Sequence, residues 1–260
     1  MRNGVILFQK EMLEMLRSYK LAWIPVVFII LGIMQPLSTY YLPEILKASG
    51  DVPPAIMEAY EMPGAAATMV QAIGQYGTIG LLVLVLAGMN SLAGERVSGT
   101  AELVQVRPVS SLSIVLAKWT ALLVLLVISL GLGAGAAGYY TEQLIGSLAW
   151  NDVLGATGLY GLWLLCILSI TLLFSAFLKA PVAAFLSLAA AAGLSLVNSL
   201  VPSWTEWTPA HLSGLSAALL TEGSGGSSVS LGGPLISSLM FIVLCITGTT
   251  LLAGNNKLGN

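Results

Sequence analysis

Long apolar runs broken by short polar stretches set the pattern of this chain. The runs cover about residues 21–41, 65–93, 114–139, 153–178, 181–201 and 235–253. Each is close to or above the roughly 20 apolar residues a helix needs to cross a bilayer. Before the first run, Val5, Phe8, Met12, Leu16 and Tyr19 recur at helical spacing opposite Lys10, Glu14 and Arg17, so residues 1–20 read as a helix lying on the membrane surface. The run that follows is too long for a signal-peptide core and has no small-residue cleavage site after it; it is expected to stay as a span. Lys179 and Ala180 leave only a tight turn between the fourth and fifth runs, and Pro181 suits the first turn of a helix. The mixed stretches 42–64 and 202–234 remain as outer connections. The second of these carries Trp204 and Trp207 at an expected interface and the flexible Gly223–Gly233 segment.

Composition strengthens this pattern. Of 260 residues, 57% are hydrophobic and 8% charged, against about 25% charged in ordinary soluble domains. The fold class expected is therefore all-α, a polytopic membrane protein with six transmembrane helices in one membrane domain over 1–260. The placement of the charges gives an orientation, because Lys and Arg favour the cytoplasm. Of ten basic residues, only Lys47 falls on one side. Arg2, Lys10, Arg17, Lys20, Arg96, Arg107, Lys118, Lys179 and Lys257 fall on the other. Of twelve acidic residues, Glu11, Glu14, Glu95 and Glu102 share that basic side and the rest lie opposite. Both termini and the connection between spans two and three are thus expected in the cytoplasm.

That connection is the most informative segment. It runs from Gly94, Glu95 and Arg96 through Gly99, Thr100, Glu102 and Arg107 to Pro108, Val109 and Ser110. Leu103 and Val106 permit a short surface helix, Thr100 can cap it, and Pro108 should end it because the residue before proline avoids helical dihedrals. A solvated turn between two spans is the plain alternative. The order Glu-Arg, two residues, Gly-Thr, a mixed stretch and Pro-Val-Ser resembles the segment between spans two and three of ABC-2 type transporter permeases, including the nitrous-oxide-reductase maturation permease group. The likeness extends to the surface helix, the six crossings and the inner termini. It implies that this segment is a coupling helix seated against an ATPase subunit, with Glu95, Arg96, Gly99, Thr100, Glu102 and Pro108 as coupling residues. The family often has a second charged pair where this chain has Val97 and Ser98, so contacts of that pair do not carry over.

Other motifs fail on context. Gly133, Gly135 and Gly138 match a dinucleotide fingerprint but lie inside the third apolar run with no strand before them. Gly131 and Gly135 read better as a small-xxx-small surface for close helix approach. No Gly-Lys pair exists, so the phosphate cradle for ATP hydrolysis is missing and any ATPase is another chain. His211 is the only histidine, which leaves no histidine-based metal cluster, and Cys166 and Cys245 lie in apolar runs as small hydrophobes. The third run is opened by Lys118 and Trp119. No Asp, Glu, Lys or Arg is expected within the six apolar cores, which weakens an ion-coupled reading. The polar residues at depth are Gln35, Gln71, Gln75, Asn90 and Asn198. They are candidates for a translocation path or for hydrogen bonds between helices.

The functional expectation is the permease subunit of an ATP-binding-cassette exporter in a bacterial cytoplasmic membrane. It would pair with a second permease, the same or related, above ATPase subunits that hold ATP and Mg²⁺. No cofactor, metal, catalytic residue or nucleic-acid partner is expected in this chain. A non-transporting anchor or immunity-type protein shares the same hydropathy. An intramembrane enzyme would need paired acids or a histidine partner for a nucleophile, and neither is visible.

Overall fold

The computed structural model describes residues 2–49, 61–97, 110–201, 205–223 and 231–255, which are mostly helical with no strand among them. Six helices in it are long and apolar enough to cross a membrane. A surface helix, α1 (Arg2–Arg17), leads into α2 (Lys20–Ser49). The second span is built in pieces: α3 (Ala65–Gln75), a π-helical turn (Tyr76–Gly80), α4 (Leu81–Gly88) and α5 (Asn90–Val97). Then come α6 (Ser111–Leu144), α7 (Trp150–Phe177), α8 (Ala180–Leu200), the short α9 (His211–Glu222) and α10 (Gly232–Asn255).

The most buried span is α7, ringed by α4, α5, α6, α8, α9 and α10. The most extensive packing is between α2 and α6. Their approach is made by Gly32 and Gly133: a Cβ on Gly32 would overlap the Gly133 carbonyl oxygen, and one on Gly133 would lie 2.8 Å from the Phe28 carbonyl oxygen. Gly131 and Gly135, expected to form the small-residue surface, meet nothing within 4 Å. They lie about 200° around the helix from Gly133, on the side turned away from α2, so the residue between them makes the contact.

Several element boundaries differ from the apolar pattern. Pro25, Pro36 and Pro43 all lie inside α2, which runs on through Lys47; freed backbone groups in a membrane helix can be satisfied by its neighbours. The second span continues to Val97, so Glu95 and Arg96 stand on its last turn and not in a loop. A further helix, α9, occupies part of the connection 202–234. It buries Leu212, Leu215, Ser216 and Leu220 against the bundle, a helical stripe too short to register as a span. His211 opens this helix.

The surface helix also presents a different face from the one expected. Phe8 and Met12 pack on the core, while Val5, Leu16 and Tyr19 are exposed. Its inward stripe is Phe8, Glu11, Met12 and Met15, with the Glu11 carboxylate among the buried groups. Tyr19, at φ 57°, takes the left-handed conformation that ends α1 and turns the chain into α2.

Candidate functional site

One end of the bundle gathers the start of α2, the end of α5, the start of α6 and the end of α7 beside α1. Lys118 lies about 10 Å into α6 from Ser111 at 1.5 Å per residue. Its side chain is 2% exposed. A cation left alone at depth in a membrane helix costs about 2.5–3.5 kcal/mol on insertion scales. Here it is paired. The Lys118 ammonium donates to both Glu11 oxygens at 3.0 and 3.1 Å and to Glu95 Oε1 at 2.9 Å. Lys10 Nζ closes the group, 2.8 Å from Glu95 Oε1 and 3.2 Å from Glu11 Oε1. Two cations and two carboxylates from α1, α5 and α6 thus form one cluster, with Glu14 at its edge 3.9 Å from Lys10. Burial pulls the Lys10 pKa down, but hydrogen bonds and charge from Glu95 and Glu11 outweigh it, and the net shift is upward.

Arg96, next to Glu95, makes a second link. Its Nη2 donates to the Ser175 carbonyl oxygen at 3.1 Å and to the Leu178 carbonyl oxygen. Those are orphan acceptors at the C-terminus of α7, where a cation also complements the helix dipole. The Ser175 hydroxyl enters the break between α4 and α5. It accepts from Leu92 N and Ala93 N at 3.1 and 3.0 Å and donates to the Met89 carbonyl oxygen at 2.8 Å. A side chain inserted into the helical ladder is a recognised cause of a kink. Lys20 Nζ donates to the Ala87 carbonyl oxygen at 3.0 Å on the same turn. The last two turns of the second span are therefore held by α1, α2, α6 and α7 together.

Of the expected coupling residues, the structure places Glu95 and Arg96 at the centre of these two links. Gly99, Thr100, Glu102 and Pro108, and with them the expected coupling helix, lie outside the described residues. Among the polar candidates, Gln35 Nε2 donates to Gln71 Oε1 and Gln75 Nε2 to Gln35 Oε1, each at 2.5 Å. They form a string of amides joining α2 to α3. Asn90 is exposed on α5, and Asn198 accepts from Thr205 Oγ1 at 2.9 Å as a brace at the end of α8; neither joins the string.

Glu11, Lys118 and Ser175 are not among the residues expected from the sequence to form the site. Lys118 is a correction: the residue expected to open an apolar run is buried within the span. The signal was its place among Val115, Ala117, Ala121 and Leu122, since a lysine so surrounded requires a partner. Glu11, on the apolar stripe of α1, was the complementary sign. Nothing local marks Ser175, because a serine in a span often bonds its own preceding turn.

The sequence profile of the family described as ABC-2 family transporter protein matches residues 5–214. The chain is also 32% identical over 247 residues to the uncharacterized transmembrane protein YxlG of Bacillus subtilis (strain 168), covering 95% of this chain and 93% of that one. The matched span takes in α1, the Glu95–Lys118 cluster, the Arg96–Ser175 link and five of the crossings. The chain is a multi-pass membrane protein of the ABC-2 transporter family.

Proposed function

We propose that this chain is the permease subunit of an ATP-driven exporter and that Glu95 and Arg96 carry movement from an ATPase subunit into the spans. Two permeases, identical or related, stand above two ATPase subunits in the bacterial cytoplasmic membrane. ATP and Mg²⁺ are held by the ATPase. The charged end of the bundle faces the cytoplasm in this reading, as do both termini, in keeping with the basic residues gathered there.

The observation that carries the reading is the double anchorage of α5. The segment from Gly99 to Pro108 follows that helix in sequence, and the last turn of the helix is bonded to α1 and α6 through Glu95 and to α7 through Arg96. A displacement of the segment by a closing ATPase pair is thereby imposed on three other elements at once. The break at Met89 gives the last turns a joint about which to move.

The test is to co-express the chain with its ATPase and measure complex formation and transport-stimulated ATP hydrolysis for Glu95→Ala and Arg96→Ala. Assembly retained with stimulation reduced to the basal level is the expected result. Unchanged assembly and turnover in both variants would remove the coupling role.

A further inference from the structure

A cavity of about 530 Å³ lies between the second span, α7, α8 and α9, a volume typical of small-molecule sites. Gly77 and Thr78 of the π-helical turn, Tyr160 and Trp163 of α7, Ser195 of α8 and Ser213 of α9 line it. Tyr160 stands about 15 Å along α7 from Trp150 at 1.5 Å per residue, so the cavity is at the depth of the hydrocarbon core.

Three observations bear on its occupant. The second span is widened into a π turn at the cavity wall, a distortion found often at functional sites. Gly77 in that turn is needed for the approach of Tyr160, because any Cβ there would overlap the tyrosine hydroxyl. Tyr160 is 7% exposed overall, yet its hydroxyl has no hydrogen-bond partner among the described residues, and an unpaired hydroxyl in an apolar setting is costly. Hydroxyls from Thr78, Ser195 and Ser213 surround the same space, and Leu81 and Leu188 supply apolar wall. No charged side chain lines the cavity. Thr78, Leu82 and Ser195 are also exposed on the outside of the chain, so the cavity opens laterally at a depth where the surroundings are lipid.

We propose that this cavity binds a neutral glycerolipid of the diacylglycerol class, with a chain against Trp163, Leu81 and Leu188 and an ester carbonyl accepting a hydrogen bond from the Tyr160 hydroxyl. A charged headgroup is disfavoured, because it would have to be drawn to mid-bilayer depth without a counter-charge. A plain hydrocarbon chain would leave the tyrosine hydroxyl unpaired. The proposal does not depend on an ATPase partner, so its failure leaves the permease reading untouched.

The experiment uses the full chain in lipid nanodiscs with a photoactivatable diacylglycerol, competed by unlabelled diacylglycerol. A photoactivatable phosphatidylglycerol and a photoactivatable long-chain alkane serve as separate arms. Saturable labelling of peptides around Tyr160 and Ser195 by diacylglycerol alone is expected. Tyr160→Phe, which keeps the ring, should weaken competition about tenfold, a change of the size of one hydrogen bond. Ala192→Phe, which fills the space from α8, should abolish labelling. Equal labelling by the alkane, saturable labelling by phosphatidylglycerol, or labelling indifferent to both substitutions would overturn the assignment.

Discussion

At the scale of single residues, the charged end depends on a buried cluster in which Lys118 is compensated by Glu11 and Glu95 together. Removing one partner of a buried ion pair destabilises by about 3–5 kcal/mol, whereas replacing the whole group with neutral side chains of similar shape is often tolerated. Lys118→Met should therefore lower the thermal midpoint of the detergent-solubilised protein sharply, and adding Glu11→Gln and Glu95→Gln should restore most of the loss. A midpoint unmoved by Lys118→Met would mean the cluster does not hold the end together. Ser175→Ala leaves Leu92 N, Ala93 N and the Met89 carbonyl without the hydroxyl. Its expected destabilisation is about 1–3 kcal/mol, read in the same melt. Because the Lys10 pKa is raised in the fold, its contribution is complete below the ordinary lysine range and is lost only as pH climbs through the higher folded value. Over neutral pH, Lys10 should not make the link titrate, and the melting difference between wild type and Lys10→Met should be flat there.

At the scale of elements, helix crossings separate what the sequence could reveal from what it could not. The six spans were legible because each needs a run of apolar residues long enough for the bilayer. The stripe of α9 was present in Leu212, Leu215 and Leu220 but hidden by a search for longer runs. Which glycines make the crossing of α2 and α6 was not legible, since spacing alone cannot distinguish the face of Gly133 from that of Gly131 and Gly135. The two faces give a direct comparison. Gly32→Ala and Gly133→Ala should each destabilise by about 1–3 kcal/mol through overpacking, while Gly131→Ala and Gly135→Ala should change stability by no more than about 0.5 kcal/mol. Melts of the four variants check this, and equal losses at all four positions would contradict the crossing. The π turn is a second element-level feature invisible in hydropathy, because a widened turn has the same composition as the helix around it. Deleting Ile79 from it should close the wide turn to an ordinary α turn and keep the flanking turns, Glu95 included, in register with Lys118. Insertion into the membrane and the stability contributed by the Glu95–Lys118 pair should persist, and a fall in the melting midpoint as large as that of Lys118→Met would contradict the π turn.

At the scale of the whole molecule, the segregation of basic residues and the buried cluster point to the same end of the bundle. Half of the candidate site was readable in advance. Glu95 and Arg96 stood out as charges beside a long apolar run, but their partners Glu11, Lys118 and Ser175 are distant in sequence and meet only when four helices converge. In the coupling proposal, that convergence is what would let one short segment act on the entire bundle. Val97 follows Arg96 directly and is 83% exposed, while both native cysteines, Cys166 and Cys245, are buried. A photocrosslinker attached through Val97→Cys is thus a single reporter at the junction between the clamped helix and the Gly99–Pro108 segment. In membranes holding the chain with its ATPase, the coupling proposal predicts an adduct between this position and the ATPase subunit, and none from Tyr139→Cys at the opposite end. An ATPase adduct formed from Tyr139→Cys and absent from Val97→Cys would contradict it.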